Sequence, residues 1–505
     1  MNFNLLKNNL LELIRRTSAY LPPDVEDVIN LRKNLEAKQS MAEMAVDMIS
    51  QNIGLAKKNS LPICQDTGTI TFYIKAPVGI DQLLIKKAAE EAVIEATEKG
   101  YLRQNSVDSL KNKNTGNNLG PGSPVYYFEQ SRDDTLNIRL VLKGGGCENM
   151  SSQYSLPATF NGKRFDRNLE GVKACIMDAV YKAQGKGCAP GFLGVCIGGD
   201  RASSYSHAKK QLLRPLDDIN QHRELSELEE VVLEEANNLN IGPMGFGGNF
   251  TIGSCKIDYL NRLPASFFVS ISYMCWAFRR RGMVLDMEGN VTDWLYHSPG
   301  EFEKDYSQLP EIKMDTKNAK VLSLPLNEND ARSLKAGDVV LLNGPMFTGR
   351  DAVHKYLFDG GKLDILKGAV IYHCGPVMVK QNGKYKAMAA GPTTSIREEP
   401  YQSEIIKNFN IRGVIGKGGM GAKTLEACKK YGCVYLHAIG GAAQIYAQCI
   451  TDVKGVYLEE FGSPEAVWHL EVKNFPVVVT MDSHGESLHE KVEKAAMIKL
   501  QNSLQ

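Results

Sequence analysis

The sequence lacks an excess of either charge: 59 Lys and Arg stand against 58 Asp and Glu over 505 residues. That balance excludes a surface that is basic throughout, and with it a general attraction to nucleic acid or anionic membrane. Long hydrophobic runs are missing as well. The longest, Ser266 to Phe278, is interrupted by serines and falls short of the roughly 20 residues a membrane span needs. The N-terminal MNFNLLKNNLLELIRRTSAY has the spacing of an amphipathic helix rather than the apolar block of an export signal, so neither export nor membrane insertion is expected. There is no internal repeat, no low-complexity tract, no CxxC and no paired Cys/His spacing of a zinc site. The eleven cysteines, an odd number scattered along the chain, point to reduced thiols in a cytoplasmic protein, most of them buried and inert.

What is present is the composition of a globular protein, 43% hydrophobic and 23% charged, at a length that calls for two or three domains. Residues 25–53 read as one helix, and a second runs from an Asp81 N-cap to about Lys99, with Gly100 placed to stop it. Helices are also expected near Asn168 to Gln184 and Leu225 to Leu239, a triple-glycine turn at Gly144 to Gly146, and a buried strand over Ser266 to Phe278. Around 300–318 the chain is polar and without periodicity. Beyond it come short apolar strands separated by glycine turns, such as VVLLNG, AVIYHCG, VIGKGG and VYLHAIGG, with helical segments between several of them. The reading is an α/β protein of two domains: a mixed N-terminal domain over residues 1–305, a linker over 306–318 and a C-terminal α/β domain over 319–505.

Candidate chemistry gathers in loops. LPICQDTGTITF sets Cys64, Gln65, Asp66 and Thr67 side by side; GKGCAPGFLGVCIGGD holds Cys188; SISYMCWAFRRR holds Cys275 and runs into Arg279, Arg280 and Arg281. Spacing alone makes these cysteines a weak metal set, raised by the residues suited to anion binding that follow two of them, Gln65 and Asp66 with Thr67 in one case and Arg279 to Arg281 in the other. The three arginines nevertheless read more readily as a solvated face or a helix end. The second half adds cations among glycines: Arg350 and His354 in MFTGRDAVHK, Thr393, Thr394 and Arg397 in AAGPTTSIREE, Arg412 and Lys417 in RGVIGKGGMGAK. Backbone N–H groups with a guanidinium or ammonium suit a carboxylate. His354, His373 and His437 read as structural histidines. The residues by themselves give an enzyme acting on a small anionic substrate, with a metal left open.

Taken together and in order, these motifs resemble class I fumarate hydratases, the iron-sulfur hydro-lyases, over nearly the whole chain. The resemblance implies an N-terminal iron-sulfur domain and a C-terminal swivelling-type domain. It implies a 4Fe-4S cluster held by Cys64, Cys188 and Cys275, with one iron lacking a protein ligand and free to act as a Lewis acid. Reversible hydration of fumarate to L-malate follows. Thr393 is carried over as the base and Asp66 as its proton partner, with Gln65, Arg103, Gly145, Gly146, Arg350, Arg397 and Lys417 contacting the dicarboxylate. A homodimer is expected.

Three positions depart from the pattern. Leu263, in NRLPASFFVS, stands where relatives carry histidine; Cys188-Ala189-Pro190 replaces CPP; and Cys147 occupies a serine position. Cys147 and Cys196 are read as non-ligands. L(+)-tartrate dehydratase and mesaconase chemistry on neighbouring di-acids are the alternatives, since one methyl or hydroxyl in a pocket separates substrates by only about 1–3 kcal/mol. More distant readings are an iron-sulfur sensor without turnover and a binding protein whose thiols are structural.

Overall fold

The computed structural model describes residues 1–302, 304–308 and 319–505, so residues 309–318 of the expected linker lie outside the described residues. The fold is mixed α/β in two domains.

The first opens with α1 (Phe3–Ala19), α2 (Pro23–Lys33) and α3 (Met41–Asn59), then β1 (Thr69–Pro77) and α4 (Gln82–Glu98). The single helix expected over 25–53 is therefore two. Ser40 explains the break: its side chain caps the N–H of Glu43 while the Glu43 carboxylate takes the N–H of Gln39 at 2.6 Å, a start signal that outweighs continuous apolar spacing. Next come β2 (Val125–Ser131), β3 (Leu136–Lys143), β4 (Ser152–Ser155), α5 (Leu169–Ala183), β5 (Gly191–Gly198), α6 (Arg201–Gln211), α7 (Arg223–Asn238), β6 (Ile252–Leu260), β7 (Phe268–Met274), β8 (Arg279–Leu285) and β9 (Val291–Leu295). One sheet has the order β9-β8-β3-β1-β2, the other β6-β5-β7-β4. Against the first sheet, α1 buries Leu6, Leu10, Leu13 and Ile14, one helical face, on Ile70, Phe72 and Ile74, one strand face. In the second sheet every residue of β5 is buried, as a central strand requires.

Register decides what these sheets bring together. Thr69 pairs with Lys143, and Leu142 with Arg279. The chain entering β1, the chain leaving β3 and the chain entering β8 therefore meet at one end. In the other sheet Met274 pairs with Phe192, and the Trp276 N–H reaches the Cys188 carbonyl at 3.4 Å. Three segments remote in sequence thus converge: the loops of Cys64 and Cys188, and the link carrying Cys275.

The second domain contains β10 (Lys320–Ser323), β11 (Val339–Thr348), α8 (Asp351–Phe358), β12 (Val370–Tyr372), a hairpin at 377–389, α9 (Glu399–Phe409), β13 (Gly413–Gly416), α10 (Ala422–Tyr431), β14 (Val434–His437), α11 (Ala443–Cys449), β15 (Ile450–Tyr457) and β16 (Val467–Met481). Strands β10, β11, β12, β13 and β14 run parallel, and β16 pairs antiparallel with both β14 and β11, so β11, β12, β13, β14 and β16 close into a ring. Gly349, His373, Lys417 and Ala438 follow directly on the C-terminal ends of the parallel strands, the usual place for ligand loops. The last helix, α12 (Leu488–Ser503), which the sequence reading did not separate, crosses back to the first domain, burying Ala496, Leu500 and Leu504 in its core.

The arginines at 279–281 are neither solvated nor on a helix. They form the start of β8 and are almost wholly buried, which is tolerable only because each finds acceptors. Arg281 pairs bidentately with Glu301, Nη2 to Oε1 at 2.6 Å and Nη1 to Oε2 at 2.9 Å, and also donates to the Leu21 carbonyl. Arg280 pairs with Asp24 and lies over the rings of Phe278 and Tyr296. Truncating Arg281 to methionine leaves Glu301 buried without its partner and is expected to lower stability by about 3–5 kcal/mol. In urea denaturation the double replacement Arg281→Met/Glu301→Leu is expected to be less destabilised than the single change.

Candidate functional site

A cleft of about 1180 Å³ lies between the two domains, and every residue singled out from the sequence as catalytic, substrate-binding or metal-ligating lines it: Cys64, Gln65, Asp66, Arg103, Gly145, Gly146, Cys188, Cys275, Arg350, Thr393, Arg397 and Lys417. Arg412 does not. It holds the Tyr431 and Gly432 carbonyls and Glu328, tying α10 to the sheet. Leu263 is 73% exposed and outside the lining. His354 and His373 are buried behind the wall, as structural histidines, bridged by Gln402 at 3.0 and 3.1 Å. His437 is likewise buried, 3.4 Å from His489.

Asp66 is the hub of the first domain's contribution. Its Oδ1 accepts from Arg103 Nη2 at 3.1 Å, its Oδ2 from the Gly145 N–H at 2.9 Å, and its backbone carbonyl from Arg279 Nη2 at 2.7 Å. Burial works to raise its pKa, but Arg103, Arg279 and Arg350 outweigh burial and hold the carboxyl below the usual range. Arg103 is locked in turn by Asn105 at 2.6 Å and by the Gly375 carbonyl of the second domain at 2.8 Å. Gly68 makes this loop feasible: at φ +77 a Cβ would sit 2.3 Å from the Lys143 backbone. The expected triple-glycine turn is the entry to a short helix, Gly145–Asn149, capped by Gly144. A Cβ on Gly146 would stand 3.6 Å from Lys417 Nζ, which places this turn against that ammonium.

The second domain supplies the cations. Lys417 Nζ donates to the Lys186 carbonyl at 2.9 Å, and although burial disfavours its charge, the neighbouring thiols at Cys188, Cys147 and Cys275 keep it protonated. Arg350 pairs with Glu465 at 2.9 Å and Arg397 with Asp351 at 3.4 Å, while the Nε of each is buried without a partner among the described residues. Thr393 Oγ1 donates to the His373 carbonyl at 3.2 Å. Arg279 is the residue that sequence reasoning undervalued: it faces both Asp66 and Cys64, and the signal was its place just after Cys275.

All eleven cysteines are free. Cys64, Cys188 and Cys275 share one wall and sense one another electrostatically. Burial pushes Cys64 up to about 11 and raises Cys188. The Cys275 thiol is raised by its hydrogen bond to Cys147 and by burial, and Cys147 is lowered by the same bond. Among the described residues no three His, Cys, Asp or Glu side chains converge closely enough for a single metal ion. A cubane differs from a single ion in that each thiolate binds a different iron, so its ligands stand apart. The donor set is sulfur without imidazole, the preference of iron-sulfur groups. Gly440 keeps that wall open, since a Cβ there would lie 2.4 Å from Cys188 Sγ. These residues fit such a group.

Residues 7–284 match the fumarate hydratase (fumerase) family and residues 289–492 the fumarase C-terminus family. The chain belongs to the fumarate hydratase family. It is 53% identical over 502 residues, 98% of each chain, to a putative class I fumarate hydratase of Geobacillus stearothermophilus. Two proteins of Methanocaldococcus jannaschii match parts of it: a putative L(+)-tartrate dehydratase subunit beta, 45% identical over 35% of this chain and 93% of its own, and a putative subunit alpha, 33% identical over 54% of this chain and 94% of its own. No described helix is long and apolar enough to cross a membrane.

Asp66→Asn removes the charge that orders Arg103 and is expected to destabilise the protein at neutral pH. A carboxylate with a depressed folded pKa contributes stability that is present above its unfolded value and lost as pH falls through the folded one. The stability deficit of Asp66→Asn, read by urea denaturation, is therefore expected to shrink as pH drops below about 4.

Proposed function

We propose that this member of the fumarate hydratase family is a class I hydro-lyase that interconverts fumarate and L-malate at the interdomain cleft. The observation that carries the reading is one cavity lined by three thiols and Asp66 from the first domain and by Arg350, Arg397 and Lys417 from the second. Cys64, Cys188 and Cys275 would hold a 4Fe-4S cluster, which when bound supplies an electrophilic iron that no fourth protein ligand covers.

The chain's own residues then have distinct tasks. Arg350, Arg397 and Lys417 bind the substrate's carboxylates, and Arg103, fixed by Asp66, clamps one end. Gln65 is held by its bond to the Pro392 carbonyl at 3.0 Å and orients the near side of the substrate, with the backbone at Gly145 and Gly146 beside it. The walls contributed by both domains displace part of the solvent around the substrate, which strengthens these contacts. In the dehydration direction Thr393 Oγ1 takes the proton from the carbon next to the hydroxyl-bearing one. That C–H electron pair becomes the double bond, and the C–O bond breaks so that hydroxide leaves and, with the proton, makes up the water lost. In hydration Thr393 returns that proton as hydroxide adds to the neighbouring carbon. A hydroxyl is a weak base, so its proton must move on, and Asp66, the carboxylate lining the same cleft, is assigned as the acceptor.

The proposal includes a swivelling-type second domain, a domain division at the 306–318 linker, and a cytoplasmic homodimer. Its free thiols suit a reducing compartment. The tartrate dehydratase relatives favour a second reading, a neighbouring di-acid as substrate. Protein loaded with its cluster without oxygen is expected to interconvert L-malate and fumarate, followed by ultraviolet absorbance of the double bond, with Cys275→Ser inactive. Clustered protein inert on both but active on tartrate or mesaconate would replace the substrate and keep the chemistry. Thr393→Ala is expected to lower kcat about 10²–10⁴-fold with little change in KM.

A further inference from the structure

Behind the cationic wall lies a carboxyl that the mechanism above does not use. Glu398 directly precedes α9 and is fully buried. Neither carboxyl oxygen reaches a hydrogen-bond partner on another residue among the described ones. The chain treats its other buried carboxylates differently: Glu301 has the Arg281 fork, and Glu36 takes the N–H groups of Asn249 and Phe250 at 3.0 and 2.7 Å. A charged carboxylate buried without donors is strongly disfavoured, so Glu398 belongs in the fold as a neutral acid.

Its neighbours give that neutrality a purpose. Arg350 and Arg397 already have one carboxylate partner each, Glu465 and Asp351. A third negative charge from Glu398 would overcompensate the two guanidiniums on which a dicarboxylate depends. We propose that Glu398 is a positioning residue for dicarboxylate binding: as an uncharged acid it leaves the charge of Arg350 and Arg397 to the substrate, and its ionisation turns this part of the wall against the substrate's carboxylate. This rests on the dicarboxylate reading of the cleft.

The charged groups acting on Glu398 are Arg350 and Asp351 at the start of α8 and Arg397 beside it, Tyr435 on β14 senses its charge, and His354 and His373 lie next to Arg350 and to each other. Burial, followed by the Asp351 charge, raises Glu398 to about 8 against the pull of Arg397 and Arg350. Burial lowers both histidines, so they stay neutral at and above pH 7, and burial raises Tyr435. Between pH 7 and 9.5 the change of charge in this group therefore falls on Glu398.

The test is the pH dependence of KM for fumarate in the cluster-loaded enzyme and in Glu398→Gln. The wild-type KM is expected to rise about tenfold between pH 7.5 and 9.5, with the effect on KM rather than kcat, and Glu398→Gln to lose that rise. A wild-type KM that is flat with pH, or a variant profile superimposable on it, overturns the proposal and leaves the hydro-lyase reading standing. Failure to turn over any di-acid overturns both. Infrared difference titration of the substrate-free wild-type chain gives a second reading that does not require the variant to fold. A protonated-carboxyl band that bleaches near pH 8 is expected, and one absent already at pH 6 contradicts the proposal.

Discussion

The structure depends on a seam of buried amides that fixes one domain against the other. Asn52, on α3, donates to the carbonyls of Ile63 and Gly441 and accepts the N–H groups of Gln444 and Ile445 at 2.8 and 3.2 Å. Gln444 replies across the seam to the Pro62 carbonyl at 2.8 Å, and Trp276 Nε1 reaches the Gly440 carbonyl at 2.7 Å. These bonds are buried, so breaking one leaves an unsatisfied polar group and costs more than its net contribution in water. The contacts surround the Cys64 loop and the glycines at 440–441. A shift of the seam would move the thiol wall relative to the cationic wall, and with it the whole cleft.

Within that frame the charges are arranged by burial. Asp66 can remain ionised in the cleft because three guanidiniums surround it, and Lys417 can remain protonated because it faces thiols. The buried arginines of β8 serve both ends of this arrangement. Arg279 turns to the cleft and holds the Asp66 carbonyl, whereas Arg280 and Arg281 turn to Asp24 and Glu301 and anchor the sheet. One strand therefore links the stability of the first domain to the geometry of its site.

Which residues line the cleft is more legible in the sequence than the fold around it. Cys64, Asp66, Thr393 and Lys417 lie in loops whose glycines and polar neighbours have no role in a core, so they stood out, and the order of the motifs carried the rest. Arg279 to Arg281 read as solvated because their partners, Asp66, Asp24 and Glu301, are remote in sequence. The helix expected over 25–53 failed for a local reason, the Ser40 cap, that the sequence does contain. The docking of α12 onto the first domain depends on long-range packing that its own pattern does not encode, and the neutrality expected of Glu398 depends on what is missing around it in space.

The central claim is that residues of both domains present one dicarboxylate to the thiol wall. The most direct measurement is electron paramagnetic resonance of the reduced, cluster-loaded protein with and without L-malate, in the wild type and in Lys417→Met. The account predicts a signal that malate perturbs in the wild type, and the same signal in Lys417→Met with the perturbation lost. A wild-type signal indifferent to malate, or an undiminished response in Lys417→Met, would contradict it.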